Sequence, residues 1–350
     1  MLCVMFPLRF SHGIGDNFEE RTAMMLRALS VFILLTAVAA KANAATPANQ
    51  LLITFGSLSE RETAIFVAKD HGLFAKHGLD VRAVHVRNGA VALSALVSGE
   101  AQFYMGAATG STLGAIASGM DAVFVTSLIH TLEGTFVVQP KIKTTAELRG
   151  KNIGVTSLGG GVWMRSMLAF EHWGLEPQRD KIDFRVVGDE SLLAQALPNK
   201  VIDGAYFNYT FASVLERQGF RVLADLAKLN IPYQNTALLG LRKYVNGSPD
   251  VTERMIRAMS DAVAFTLDPK NKERVLQSMV KGLRLPRAED AVGGYERLGS
   301  MYQRRIFPNV DGIRSTIRFL GPSNEKIRAL NPEDLVDDRF VKKLEQEGRF

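Results

Sequence analysis

The chain has 350 residues, 47% of them hydrophobic and 22% charged, with a formal net charge of +6. This composition is typical of a soluble globular protein and argues against a disordered chain, a collagen and a polytopic membrane protein. At roughly 150 residues per domain, the length predicts two domains or lobes. The single cysteine, Cys3, excludes an intrachain disulfide and a zinc site of several cysteines. The histidines show neither HExxH nor H-x-H spacing, so no metal site is predicted.

An N-terminal apolar run predicts that the chain is exported. Residues 28–40 are mostly apolar, Arg27 precedes them, and Ala42-Asn43-Ala44 follows as an A-x-A cleavage sequence. These are the parts of a secretory signal peptide, with cleavage expected near Ala44-Ala45. The alternative is a transmembrane anchor, but spanning needs about 20 apolar residues and Lys41 interrupts this run.

From residue 51 onward the sequence alternates between strand-like and helix-like segments. Short apolar runs that end at glycine or serine predict strands, and the segments between them have helical spacing. Strands separated by helices of this length indicate right-handed βαβ units and a mainly parallel sheet. The predicted strands are 51–55, 81–86, 103–105 and 122–127, and the predicted helices are 62–75, 90–97 and 109–118.

The same pattern returns about 101 positions later. Residues 52–55 align with 153–156, and the segment 80–84 falls near 183–187. The match continues to the start of the third predicted strand with a drift of only about two positions. Two similar βαβ units could align by chance, but this persistence favours an internal duplication. The two expected domains therefore take the form of two similar α/β lobes.

After residue 229 the sequence changes character. Residues 230–233 are a linker candidate, and 237–241 is a predicted strand. Mostly helical segments follow, at 251–267, 272–283 and 287–306. We expect a helical tail of this size to pack on an earlier lobe.

Four segments resemble, in order, those of periplasmic solute-binding proteins of the nitrate/taurine/sulfonate type. They are AKDHGLFAKHGLDV (68–81), LVSGEAQ (96–102), LRGKNIGV (148–155) and VIDGA (201–205). The family also includes binders of pyrimidine precursors related to thiamine biosynthesis. One departure is Gln102, where an aspartate is usual.

The resemblance implies an α/β protein with the type-II periplasmic binding fold, in which two βαβ lobes and a hinge enclose a ligand cleft. It implies a leader (1–44), a first lobe (45–139 plus 237–350) and a second lobe (140–236). Such a protein is a periplasmic monomer without a cofactor, and it docks on an ABC permease in the inner membrane. A nucleic-acid partner is not expected, because the C-terminal arginines lack interleaved aromatic residues.

Ligands of doubly wound sheets bind at the carboxyl ends of the strands, where this sequence is rich in serine, threonine and glycine. Successive glycines let backbone N–H groups converge, and a helix N-terminus favours an anionic or carbonyl group. The alternative is an ordinary strand–helix turn. The missing Gly-Lys-Ser/Thr ending argues against ATP. The predicted ligand-binding residues are Ser57, Ser59, Glu60, Gly89, Gly106, Ala107, Thr156, Ser157, Gly159, Gly160, Arg165 and Asn208.

Several of these side chains have two interpretations. Arg165 could pair with a carboxylate or sulfonate, or it could be a solvated helix arginine. Trp163 could stack on a planar ligand or pack in the core. Asn208 and Tyr209 could donate hydrogen bonds from the second lobe. The adjacent charges of residues 60–62 could instead form a self-paired surface cluster.

The leading hypothesis is a non-enzymatic protein that delivers a small organic or anionic ligand to an ABC importer by cleft closure. The alternative is an enzyme of the same fold, in cofactor or thiamine-pyrimidine biosynthesis. No catalytic carboxylate pair or Ser-His-Asp set can be placed from spacing, and no cysteine follows Cys3. A ligand-sensing module without transport is a third possibility.

Overall fold

A computed structural model describes residues 50–86 and 88–350, so the predicted signal peptide and its cleavage site lie outside the described residues. Two five-stranded mixed sheets form two lobes, which confirms the predicted α/β class. The strands are β1 (Gln50–Phe55), β2 (Asp80–His85), β3 (Phe103–Gly106), β4 (Ala122–Ser127), β5 (Thr135–Val138), β6 (Asn152–Val155), β7 (Asp183–Val186), β8 (Gly204–Phe207), β9 (Arg221–Asp225) and β10 (Ala237–Leu241).

Helices flank both sheets, and none of those described carries an apolar stretch long enough to cross a membrane. The α-helices are α1 (Thr63–Asp70), α2 (Leu73–Lys76), α3 (Gly89–Val97), α4 (Gly110–Ala117), α5 (Gly161–His172), α6 (Glu190–Ala196), α7 (Tyr209–Arg217), α8 (Arg242–Gly247), α9 (Pro249–Leu267), α10 (Lys272–Leu283), α11 (Val292–Met301), α12 (Val310–Leu320), α13 (Glu325–Arg328) and α14 (Arg339–Gln346). Short 3-10 turns lie at Glu60–Glu62, Thr145–Leu148, Leu226–Leu229, Pro269–Asn271, Ala288–Ala291, Gly321–Ser323 and Pro332–Leu335.

The two sheets have the same strand arrangement. The first runs β2-β1-β3-β10-β4 and the second runs β7-β6-β8-β5-β9. In each sheet, the second strand of this order pairs in parallel with two neighbours, as β1 does with β2 and β3 and β6 does with β7 and β8. The fourth strand in each order, β10 or β5, is antiparallel to its neighbours. The chain reaches it directly after crossing from the other lobe. The shared order is the structural form of the repeat seen in the sequence.

The chain crosses between the lobes twice, and we call residues 128–134 and 226–236 the hinge segments. They bond to each other, because Leu132 N donates to Ile231 O at 2.9 Å and Tyr233 N donates to His130 O at 2.9 Å. The first crossing ends at β5, which pairs with β8 and β9 in the second sheet. The lobe boundary expected after residue 139 therefore falls too late, since β5 belongs to the second lobe.

Apolar side chains between the sheets and their helices form two clusters. One lies in the first lobe and includes Ile53, Phe103 and Met259. The other joins Leu96 of the first lobe to Phe136 of the second. Burying such side chains contributes roughly 1.5–3 kcal/mol each. Because the second cluster spans both lobes, packing also couples them.

The C-terminal helices pack mainly on the first lobe. Helices α9 and α10 lie against α1, and α14 lies beside β4. Helix α11 also reaches α7 of the second lobe, and nearby Arg217 Nη2 donates to Asp290 Oδ1 at 2.6 Å. The tail therefore bridges the two lobes as well as covering the first.

Candidate ligand-binding cleft

A cavity of about 260 Å³ lies between the lobes at the carboxyl ends of their parallel strands. This is the position where open α/β sheets bind ligands. Of the residues predicted from sequence, Ser57, Gly89, Gly106, Ala107, Thr156, Ser157, Gly160 and Arg165 line it. The other four, Ser59, Glu60, Gly159 and Asn208, are not among the lining residues.

Two glycines of the first lobe make room for Tyr104. A Cβ on Gly106 would lie 2.1 Å from the Tyr104 ring, and one on Gly89 would lie 2.9 Å from the Tyr104 hydroxyl. The ring therefore lies against the backbone at the end of β3 and forms part of the cavity wall. Burial raises the pKa of the Tyr104 phenol, so it stays protonated at neutral pH. The sequence analysis missed Tyr104, although the small residues beside it were visible.

The glycines in the loop before α5 of the second lobe have different roles. Gly160 precedes the first residue of α5, Gly161, and both line the cavity, so the N-terminus of that helix opens on it. Gly159 has a left-handed φ of +72° and turns away, and its carbonyl accepts a hydrogen bond from Ser111 N of the first lobe at 3.0 Å. We call this contact the cleft latch. It joins backbone atoms of opposite lobes, so side-chain chemistry could not reveal it.

Residues 60–62 are buried, with 0%, 5% and 4% of their surfaces exposed, so their interpretation as a surface cluster is wrong. The Glu60 carboxylate accepts from Tyr209 N at 2.7 Å, Thr210 N at 3.3 Å and Thr210 Oγ1 at 2.7 Å. These donors belong to the first turn of α7 in the second lobe. Burial raises the pKa of Glu60 to about 7 in spite of them. Glu60 thus joins the lobes behind the cavity.

Arg61 also connects the lobes. Its Nε lies 3.1 Å from Glu133 Oε1 in a hinge segment, and its Nη2 lies 3.3 Å from Glu190 Oε1 at the start of α6. Asn208, fully buried, donates its backbone N–H to Glu190 Oε2 at 3.2 Å and caps α7 by accepting from Phe211 N at 3.0 Å. Asn208 therefore positions Glu190, which does line the cavity.

Arg165 is only 2% exposed, so the solvated-arginine interpretation is wrong. It lines the cavity from α5, and its Nη2 donates to Asn235 Oδ1 in a hinge segment. Its Nε lies 3.7 Å from Glu133 Oε1. The guanidinium carbon lies 5.3 Å from the ring centre of Tyr206 and 5.5 Å from that of Tyr233. Hydrogen bonds, charge and aromatic rings together hold it in the interior.

Glu62 lines the cavity with an incompletely satisfied carboxylate. Its Oε1 accepts from Ser57 Oγ at 3.3 Å, and its Oε2 has no hydrogen-bond partner among the described residues. Burial raises the pKa of Glu62 to about 7. None of Glu62, Glu133, Glu190 and Asn235 was predicted from the sequence to bind the ligand. Each is polar and buried, and burial of an isolated polar residue leaves no mark in a sequence pattern.

Two aromatic candidates lie elsewhere. Trp163 packs in the second lobe, its ring centre 6.3 Å from that of Phe184. Tyr209 donates its hydroxyl to Asp225 Oδ1 at 2.8 Å. Neither lines the cavity. Within residues 50–86 and 88–350, no three His, Cys, Asp or Glu side chains are grouped as metal ligands.

Comparison with known proteins identifies a matching family model and solved structures with the same fold. The family model described as NMT1/THI5 like matches residues 60–272. A candidate binding protein of Brucella abortus (strain 2308) is 25% identical over 222 residues, which span 61% of this chain and 66% of the relative, just under two thirds of its length. The fold matches the periplasmic aliphatic sulphonate binding protein SsuA from Escherichia coli (TM-score 0.68, 19% identity, 84% of this chain and 99% of that one). It also matches the periplasmic nitrate-binding protein NrtA from Synechocystis PCC 6803 (TM-score 0.69, 14% identity, 86% and 89%).

Proposed function

Because this chain belongs to the NMT1/THI5-like family, we propose that it is the periplasmic solute-binding protein of an ABC importer. The observation that carries the proposal is the cavity of about 260 Å³, which both lobes and the hinge line together. The binding functions named for SsuA and NrtA, which share its fold, agree with it. The chain binds one small organic or anionic molecule and releases it unchanged.

Binding is coupled to closure of the cleft in this proposal. The two hinge segments let the lobes rotate, and a ligand that contacts both lobes favours the closed arrangement by its differential affinity. Ser57, Gly89, Gly106, Ala107, Thr156, Ser157, Gly160 and Arg165 act as ligand contacts. The residues that support these contacts from behind are Ser59, Glu60, Gly159 and Asn208. The cleft latch between Ser111 and Gly159 forms as the lobes meet.

Transport requires export and a membrane partner. We propose that a signal peptide cleaved near Ala44-Ala45 sends the chain to the periplasm as a monomer. The closed protein then presents both lobes at once to an ABC permease in the inner membrane. The permease can distinguish loaded from empty protein because only closure fixes the relative positions of the lobes.

Ligand extraction and uptake test the proposal together. The purified chain is denatured, its released small molecules are identified by mass spectrometry, and uptake of the best candidate is measured in cells lacking the gene. We expect the deletion to abolish uptake and the wild-type gene to restore it. Small-angle scattering should show a smaller radius of gyration with ligand than without. Turnover of the bound molecule, or unchanged uptake in the deletion strain, would contradict the proposal.

A matched pair of variants separates the cleft from the rest of the molecule. Ser111→Pro removes the N–H that donates to Gly159 O and should weaken ligand binding by opening the cleft latch. A second proline in the first lobe, such as Ser118→Pro, would disturb that lobe and is not a suitable control. The control is Glu216→Gln, an exposed change on α7. Equal ligand affinity in Ser111→Pro and the control would argue against closure.

A further inference from the structure

Buried acidic residues outnumber buried basic residues around the cleft. Glu60, Glu62, Glu133 and Glu190 are buried together with Arg61 and Arg165. With all six ionised, this buried group has a formal charge of −2. Glu60 and Glu133 are not among the lining residues, and the charged residues that line the cavity are Glu62, Asp189, Glu190, Arg61, Arg165 and Arg284. A buried charge of the same sign is repelled more strongly than in water, because the local dielectric is low. The charges that line the cavity cancel, and the two buried carboxylates beyond them disfavour a simple anion.

The two buried arginines of the lining already have acidic partners, whereas the third, Arg284, is exposed. Arg61 lies beside Glu133 and Glu190, and Arg165 lies 3.7 Å from Glu133. An anion that recruited either guanidinium would have to share it with a buried carboxylate. Breaking a buried ion pair leaves an uncompensated buried charge, so these pairs oppose such a transfer.

Glu62 differs from the other carboxylates that line the cavity. Glu190 accepts from Asn208 and pairs with Arg61, whereas Glu62 makes no ion pair within 4.0 Å among the described residues. Among the residues that the structure describes, only the Ser57 hydroxyl donates to it, and its Oε2 has no donor. A buried carboxylate in this condition is costly, and a donor brought by the ligand would remove that cost.

Three other polar atoms of lining residues also have no hydrogen-bond partner among the described residues: Arg61 Nε, Arg165 Nε and, on the hinge side, Thr236 Oγ1. Thr236 is 3% exposed, lines the cavity, and its hydroxyl has no hydrogen-bond partner among the described residues. Apolar side chains from both lobes complete the lining: Leu58, Met105, Val162 and Phe211. The volume of about 260 Å³ is just below the usual range for drug-sized ligands, which fits a small molecule with an apolar body.

We propose that the ligand carries a protonated amine or amidine group that pairs with Glu62, while its apolar part lies against the side chains of both lobes. This inference rests on the proposed function and narrows its ligand to a nitrogen-containing cation. It departs from the anions named for the two solved structures of the same fold. Thr236 supplies an additional hydrogen bond to the same ligand.

Proton release provides an independent signature. Because burial raises the pKa of Glu62 to about 7, a cationic ligand must displace a proton from part of the population near neutral pH. Affinity for a ligand that stays cationic should therefore increase as the pH rises from 6 to 8, and affinity for an anion should decrease. The groups whose charge acts on Glu62 are Arg61, Arg165, Glu190, Tyr104 and Tyr302.

Paired probes test the charge preference directly. Thermal unfolding and calorimetry of the purified chain compare benzamidine with benzoate, and 2-aminoethanesulfonate with 2-hydroxyethanesulfonate. Each pair differs mainly in whether a basic nitrogen is present. We expect the nitrogen-bearing member to raise Tm and its partner to have little effect, since ligands that bind the native state stabilise it. Equal or tighter binding of benzoate and 2-hydroxyethanesulfonate, or no binding of either nitrogen-bearing probe, overturns the proposal.

Variants then assign the preference to one carboxylate. Glu62→Gln should weaken benzamidine binding at least about tenfold, the equivalent of one charge-assisted hydrogen bond, and should remove its increase with pH. Glu62→Asp keeps the charge and should retain the preference for benzamidine over benzoate. Glu289→Gln, an exposed change, is the control. Unchanged benzamidine affinity in Glu62→Gln overturns the proposal.

The two proposals fail differently. If benzamidine binds through Glu62 but deletion of the gene leaves uptake unchanged, the transport function fails and the ligand inference stands. If the gene supports uptake of a molecule without a basic nitrogen, the ligand inference fails and the transport function stands.

Discussion

Glu60→Gln should change how the stability of this protein depends on pH. The wild-type carboxylate is fully buried and accepts three hydrogen bonds from the first turn of α7. Glutamine has nearly the same shape and retains one acceptor oxygen, but it cannot ionise. The substitution therefore removes the proton equilibrium while keeping most of the packing between the lobes.

The magnitude follows from the shift of the Glu60 pKa from 4.5 to about 7. Between these values the unfolded chain has lost the proton and the folded chain keeps it. The stabilisation by the protonated group is complete below pH 4.5, is lost as the pH rises to 7, and changes no further above that. At 1.36 kcal/mol per pKa unit, Glu60 contributes a loss of about 3 kcal/mol over this range. Glu62 has a similar shift and adds a second loss.

Urea unfolding between pH 4.5 and 8 measures this effect. We expect the wild-type free energy of unfolding to fall with pH more steeply than that of Glu60→Gln. The difference in slope should be about 1.4 kcal/mol per pH unit near pH 6, which corresponds to one proton. Glu216→Gln, exposed on the same helix, should keep the wild-type slope. Parallel curves for wild type and Glu60→Gln would refute the reasoning.

Three further changes test the packing around the cleft. Arg165→Met removes the donor to Asn235 and should lower the free energy of unfolding by about 3–5 kcal/mol at pH 7, measured in urea; a loss below 1 kcal/mol would contradict its role. Gly106→Ala places a Cβ 2.1 Å from the Tyr104 ring and should lower Tm, at a cost of about 1–3 kcal/mol, and weaken ligand binding. Gly114→Ala, in open space on α4, should instead add about 1 kcal/mol, and a destabilised variant would disprove this.

Much of the fold could be predicted from the sequence because local patterns determine individual strands and helices. Apolar runs ending at glycine located β1 and β3, and their repetition near residue 153 indicated the second sheet. Pairing of β5 could not be obtained in this way. Its three apolar residues suit either sheet, and only hydrogen bonds to β8 and β9 decide between them.

Part of the candidate site could be predicted from the sequence for the same reason. Glycine and serine at strand ends pointed to loops that line the cavity, and eight of the twelve predicted residues are among its lining residues. The burial of the charged residues could not be predicted from the sequence. Arg165 is buried because Glu133 and Asn235, distant in the chain, surround it. Whether an arginine is solvated or enclosed depends on such neighbours and not on its own helix.

The position of β10 also determines the order in which the sheets can be completed during synthesis. Strands β1 to β4 are made first, yet β10 separates β3 from β4 in the finished sheet and is made only after β9. The second sheet takes all five strands from one continuous stretch, so it can assemble earlier. Until the chain returns from it, β3 and β4 have unpaired edges, which are sites for mispairing in a nascent chain. The lobe that begins first is thus the lobe that is finished last.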